Sequence, residues 1–258
     1  DAVDVSEQGA FGAIHFSARE QDVDALGYVV PYATLYQTLY QAMAKQSGVD
    51  VISIIDLQTV QMTEAGGAVC VLCEKGEQTL QAKLLVGCDG AGSRTRDLLN
   101  VHTQHNEGNE IAFTAKIEFL EKHNHTAYER FTSEGTLAIL PLPQLSQCGL
   151  VWTMPSAMFE KQKEWSDKAL IAFIQDCFIG RIGKIKSISR GVHYPLRTTL
   201  AKKQILPGAV LLGNAAHTLY PLAAQGFNLG LRDVAALSEV LTQAQEKQIS
   251  LGRLPVLQ

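Results

Sequence analysis

Apolar and polar residues change rhythm several times along the chain, and each rhythm predicts an element. Two short apolar stretches, Phe11 to Phe16 and Leu26 to Val30, flank a polar, acidic run and predict two strands with a connection. Pro31 then opens a helix. In Tyr32 to Lys45, Leu35, Leu39, Ala42 and Met43 fall at i, i+4, i+7 and i+8, one face of a 3.6-residue period, with Gly48 beyond as a stop. Val51 to Leu57, Ala68 to Cys73 and Gln78 to Leu85 predict a meander of strands, punctuated at Gly66-Gly67 and Lys75-Gly76.

The strand Leu84-Leu85-Val86 runs into a Gly-rich turn, Gly87 to Arg96, in which Ser93 is placed to cap a short helix. After Asn100 the texture becomes that of a mixed or antiparallel sheet, with strands at Ile111 to Phe119, Tyr128 to Phe131, Leu137 to Leu142 and Leu150 to Met154. Ser166 caps a helix whose Leu170, Phe173, Ile174, Cys177 and Phe178 share one face, and Lys184 to Tyr194 supplies another strand. Ile205 to Leu212 has the continuous apolar run of a buried strand, bent only by Pro207-Gly208, and ends at Gly213-Asn214. A loop with Pro221 and Gly226 leads to a helix through about Leu241, with Val234, Leu237 and Leu241 on one side. The order of elements suggests two interleaved units of an α/β chain.

Composition narrows the function. With 22 basic and 26 acidic side chains in 258 residues the net charge is −4, which argues against a nucleic-acid binder held by a broad cationic surface. Hydrophobic residues make up 46% and charged ones 19%, so the chain can build a core. Every long apolar run is broken well short of the roughly 20 residues of a membrane-spanning helix. Five cysteines, at 70, 73, 88, 148 and 177, are too few and too scattered for a disulfide scaffold and suit a reducing cytoplasm. The first residues carry neither an initiator Met nor a signal sequence, which suggests a piece of a longer protein.

Two segments share one physical design. An apolar strand ends in Gly and polar residues, small residues let the backbone approach a ligand, and a helix start offers unpaired N–H groups that suit an anion. The first is Gly87 to Arg96, with Asp89 and Arg96 as charged groups; the second is Gly213 to Asp233. Singly, each is an ordinary strand-to-helix turn. Together they resemble the FAD-dependent aromatic hydroxylases of the p-hydroxybenzoate hydroxylase type. The family's G-x-D-G-x-x-S-x-x-R is matched by Gly87, Asp89, Gly90, Ser93 and Arg96. Its longer second motif is matched by Gly213, Ala215, Ala216, His217, Pro221, Gln225, Gly226, Asn228, Gly230 and Asp233. Asn214 departs from the usual Asp, and Ala224 from the usual Gly. The stretches at 26–30, 129–143, 150–155 and 194–199 are similar to the ubiquinone-biosynthesis branch, that of the 2-polyprenyl-6-methoxyphenol hydroxylases. No G-x-G-x-x-G occurs, so the resemblance implies a fragment lacking the family's N-terminal βαβ unit and its C-terminal tail.

The resemblance implies a Rossmann-like, doubly wound FAD-binding half, incomplete here, with an inserted mixed-sheet substrate domain. Residues 31–100 and 201–258 would form the first, and 1–30 and 101–200 the second. It implies FAD as cofactor, NAD(P)H as co-substrate, and hydroxylation of a polyprenylated phenol by O₂ through a flavin 4a-hydroperoxide. Asp89, Gly90 and Arg96 would lie near the flavin pyrophosphate. Gly213 and Asn214 would meet the ribityl chain, where Asn accepts hydrogen bonds without the charge of Asp. His217 would stand near the flavin and Pro221 beside its ring. Gln225, Gly226, Phe227 and Asn228 would bring helix-start amides to the edge where reduced flavin gathers negative charge. No side chain is singled out as catalytic and no metal is expected. A greasy substrate implies a cytoplasmic protein that visits the inner-membrane surface or a biosynthetic complex. Two alternatives stand beside this: a non-catalytic binding or assembly module, motivated by the missing G-x-G-x-x-G, and a related flavoprotein such as a polyprenyl reductase. A halogenase would carry a Trp-x-Trp-x-x-Pro segment, which is absent.

Plainer readings cover the remaining candidates. Cys70 and Cys73 have redox or metal spacing but no second pair, and default to packing. His102, His105, His123 and His125 read as surface histidines. Phe113, Phe119, Trp152 and Phe173 default to the core.

Overall fold

The computed structural model describes residues 1–221 and 224–258. The chain divides into two compact units, Asp1–Val49 with Asn109–Leu196, and Asp50–Gly108 with Arg197–Gln258. Residues 31–49, expected with the cofactor-binding half, group with the first unit.

The first unit is a sheet with helices on one face. Strands β1 (Ala2–Glu7) and β2 (Ile14–Ser17) form an antiparallel pair, and Tyr32–Ala44 is helix α1. Leu26 to Val30 forms no strand; the partner of β2 is the N-terminal Ala2–Glu7, whose Val3 and Val5 stand opposite Phe16 and Ile14. None of the thirteen residues of α1 is buried, and Tyr32, Tyr36 and Tyr40 stack on one another along its surface. Strand β7 (Thr103–Phe119) continues into the other unit. Beside it lie β10 (Gln147–Pro155), then β9 (Gly135–Pro141), β8 (Thr126–Thr132), β1 and β2, and only β1 and β8 run parallel among these neighbours.

Helices α3 (Ser156–Gln162) and α4 (Asp167–Phe178) supply Met158, Leu170, Ile174, Cys177 and Phe178 to a core completed by Phe113, Ile117, Leu137, Ile139, Leu150, Trp152 and Met154. Ser166 caps α4 as expected, its Oγ accepting from Ala169 N–H. Trp152 is fully buried, stacks on Phe173 at 4.7 Å and donates its indole N–H to Glu134 O. Phe113, Phe119 and Trp152 are thus core residues, and Phe173 is partly buried against them. The stretch Lys184 to Tyr194 breaks into two strands, β11 (Ile185–Ile188) and the start of β12 (Val192–Ala201), separated at Ser189 to Gly191.

In the second unit the meander is β3 (Asp56–Thr63), β4 (Gly66–Cys73) and β5 (Gly76–Ala82). Its first strand starts at Asp56, not at Val51; residues 51–55 are exposed and carry no ladder beyond one bond from Ile55 N–H to Leu72 O. Cys70 and Cys73 point to opposite faces of β4. Cys73 packs with Val69 and Val71, while the Cys70 thiol donates to Gln58. His102 and His105 are exposed, but His123, in the first unit, is buried and its Nε2 meets Leu142 O. Burial of His123 corrects the surface reading.

Candidate functional site

Two short strands lie side by side and parallel: β6 (Leu85–Gly87) and β14 (Ala209–Leu211), with Leu85 opposite Ala209 and Gly87 opposite Leu211. The apolar run from Ile205 proves to be a hairpin. Strand β13 (Ile205–Leu206) turns at Pro207-Gly208 into β14, because Pro cannot donate to a ladder and Gly208 takes φ +74°. Parallel strands end at the same edge of their sheet, and in α/β folds ligands bind beyond those carboxyl ends. Both motif segments leave from there. Leu212 N–H donates to Gly87 O across the strand ends. A Cβ at position 87 would lie 2.7 Å from Leu211 Cδ2, so glycine permits this approach.

The first segment closes on itself. Asp89 accepts from Ser93 Oγ at 2.5 Å and from Thr95 N–H at 2.9 Å, and Ser93 Oγ in turn accepts from Arg96 N–H, capping helix α2 (Arg94–Leu98). Burial raises the Asp89 carboxyl pKa, but hydrogen bonds from Ser93 and Thr95 more than offset this and hold it below the ordinary value. Gly90 makes the tight bend with φ +84°. Arg96 is 5% exposed, and its guanidinium donates to Ala91 O in its own turn and to Ala215 O, 3.1 Å away in the second segment. That last bond ties the two motifs together.

The second segment is open. Gly213–Ala215 is a 3-10 turn that carries Asn214 at the surface, followed by β15 (His217–Thr218) against the end of β12. Helix α5 (Gly226–Glu246) begins after Gln225, and among the described residues no side chain caps it. Its first turn holds no acidic residue. Phe227 is 55% exposed, and Asn228 donates to Gln225. Pro221 is exposed, and residues 222 and 223 of this segment lie outside the described residues. Along α5, Leu237 and Leu241 are half-buried but Val234 is 53% exposed, so the expected apolar side is only partly covered.

These features fit a flavin. A Cβ added at Gly226 would meet no atom within 4 Å, and the residue has no positive φ, so nothing in the described chain requires glycine there. A helix start that no described side chain caps suits an anionic, planar ligand. Two buried nitrogens, Arg96 Nε and His217 Nδ1, have no hydrogen-bond partner among the described residues. Asp89, by contrast, already spends its acceptors within its own turn. Sequence reading missed Cys88, an exposed thiol at the start of the first segment. Its pKa is raised by burial and by the carboxylates of Asp89 and Asp233. It also gave Asp233 no role, although Asp233 accepts from Gly213 N–H.

A family model described as an FAD binding domain matches residues 15–250. The chain belongs to this FAD-binding family. A relative in Escherichia coli K12, named 3-demethoxyubiquinol 3-hydroxylase, is 31% identical over 94% of this chain and 61% of its own length. An uncharacterized protein of Synechocystis is 30% identical over the whole chain and 62% of its own length. The chain thus spans about three-fifths of the length of these relatives. The fold is that of FAD-dependent monooxygenases. Pseudomonas aeruginosa PqsL, solved with 2-aminobenzoylacetate, superposes with TM-score 0.74 at 20% identity, over 97% of this chain and 69% of that one. Aklavinone-11 hydroxylase, solved with FAD and aklavinone, gives 0.69 at 14% identity, over 95% and 49%. Among the described residues no helix is long and apolar enough to cross a membrane.

Proposed function

We propose that this chain is part of a flavoprotein hydroxylase that adds oxygen to the ring of a polyprenylated phenol on the route to ubiquinone, with NAD(P)H as electron donor. The observation that carries the reading is the convergence of the two motif segments through Arg96 and the paired strand ends, beside the uncapped start of α5. Bound there, FAD would supply the oxygen chemistry, and the protein would supply position and electrostatics. The amides of Gly226, Phe227 and Asn228 would favour negative charge along the flavin edge, and Asn214 would accept from ribityl hydroxyls. The Arg96 guanidinium would fix the distance between the two arms.

The exposed face of α1 and the exposed apolar residues Val51, Ile52, Ile54 and Ile55 support the further reading that the chain works as one part of a longer protein. A prenyl tail on the substrate supports contact with a membrane surface.

The test uses the full-length gene product, purified and assayed for bound FAD, for NAD(P)H oxidation stimulated by a short-chain polyprenyl phenol, and for a product one oxygen heavier. Coupled oxygen insertion supports the reading. Protein that carries FAD but yields only hydrogen peroxide with every phenol offered contradicts it.

A further inference from the structure

Asp233 lies two turns into α5, and a single carboxylate oxygen, Oδ2, accepts two hydrogen bonds of 2.8 Å. One comes from Gly213 N–H, at the start of the 3-10 turn. The other comes from His217 Nε2, just beyond its end. One oxygen therefore pins both ends of the turn that carries Asn214 to one point on the helix whose first amides lie a few residues earlier. Helix and turn touch closely here, since a Cβ at Gly230 would sit 3.6 Å from Gly213 Cα. His217 is 7% exposed. Its other ring nitrogen, Nδ1, is buried and has no hydrogen-bond partner among the described residues. The side-chain bond that holds this enclosed ring ends on Asp233.

We propose that Asp233 is the positioning residue of the site, holding the Asn214 turn and the first amides of α5 in register for one ligand, with His217 acting through it. The proposal rests on the reading of that ligand as a flavin. An asparagine at 233 keeps the volume and one acceptor but loses the charge that serves two donors at once. A clamp that aims helix-start amides at the flavin matters more for the reduced, negatively charged form than for the oxidised one. A purely structural role has no such preference.

The experiment compares full-length wild type with Asp233→Asn, His217→Leu and the double variant, measuring FAD affinity by flavin fluorescence and the midpoint potential of bound flavin. The expected result for Asp233→Asn is FAD binding about tenfold weaker, with a further tenfold loss confined to the reduced form. For a two-electron couple that second loss lowers the midpoint by about 30 mV. His217→Leu should shift both readings in the same direction by less, and the double variant should be no worse than Asp233→Asn alone. Should Asp233→Asn fail to fold, His217→Leu decides, and an unchanged potential overturns the proposal. Weaker binding with no change in potential overturns it too, as does full additivity of the two substitutions. Wild type that binds no FAD removes the flavin reading itself, whereas wild type that binds normally beside an unaltered Asp233→Asn removes only this inference.

Discussion

The two strand-turn-helix segments look alike in sequence and behave differently in the fold. In the Asp89 segment every polar group with a motif role except Arg96 Nε has a partner inside the protein: Asp89 with Ser93 and Thr95, Ser93 with Arg96, Arg96 with Ala91 and Ala215. In the Gly226 segment, among the described residues, no side chain caps the helix start, Phe227 is exposed and the buried His217 Nδ1 has no partner. A satisfied turn is scaffold, and an unsatisfied one is built for something else to complete it. On the proposed reading the two motifs divide the labour, the first fixing the geometry and the second meeting the flavin.

Substitutions should separate these roles, and the largest effect belongs to the scaffold. Arg96→Met strips the donor from two carbonyls in a buried site and should cost about 3 kcal/mol in urea unfolding. Asp89→Ala, which strips the acceptor from Ser93 Oγ and from Thr95 N–H, should cost about 2 kcal/mol. The Asp89 carboxyl titrates below its ordinary value in the folded state, so its stabilisation is full above the unfolded value of about 4 and is lost as pH falls through the folded one. Asp89→Asn should accordingly flatten the loss of stability below about pH 4, and an acid-unfolding curve parallel to wild type would contradict the assignment.

The open segment should respond the other way. Gly226→Ala should leave unfolding within about 0.5 kcal/mol of wild type, since the added Cβ meets no protein atom, while weakening FAD binding about tenfold. The smallest effect is at Ala224, which takes φ +51° where the family usually has glycine. Ala224→Gly relieves left-handed strain against a more flexible unfolded chain and should gain about 0.5 kcal/mol by thermal melting.

Much of this was legible in the sequence, for identifiable reasons. Helices α1 and α4 announced themselves by period and by their flanking residues, Pro31 and Ser166, and the two motif segments by Gly and polar residues at strand ends. Pro207-Gly208 was misread as a bend within one strand, because an apolar run looks the same whether it extends or doubles back. Residues 51–55 read as a strand on β-branched composition alone, but strand formation needs a partner edge. The two hydrogen bonds to Asp233 and the Arg96 bridge are contacts across 20, 16 and 119 residues, which spacing cannot reveal.

The central claim is that the flavin binds where the two segments converge, and Cys88 offers the most direct test. It is the exposed cysteine of the five, while burial pushes the thiols of Cys148 and Cys177 up to about 11. Alkylation of Cys88 in the full-length protein should be followed by mass spectrometry with and without FAD, at a pH near its raised thiol pKa. The account predicts that saturating FAD slows modification of Cys88 at least about tenfold and leaves that of Cys70 unchanged. An unaltered Cys88 rate while fluorescence shows FAD bound would place the flavin elsewhere and contradict it.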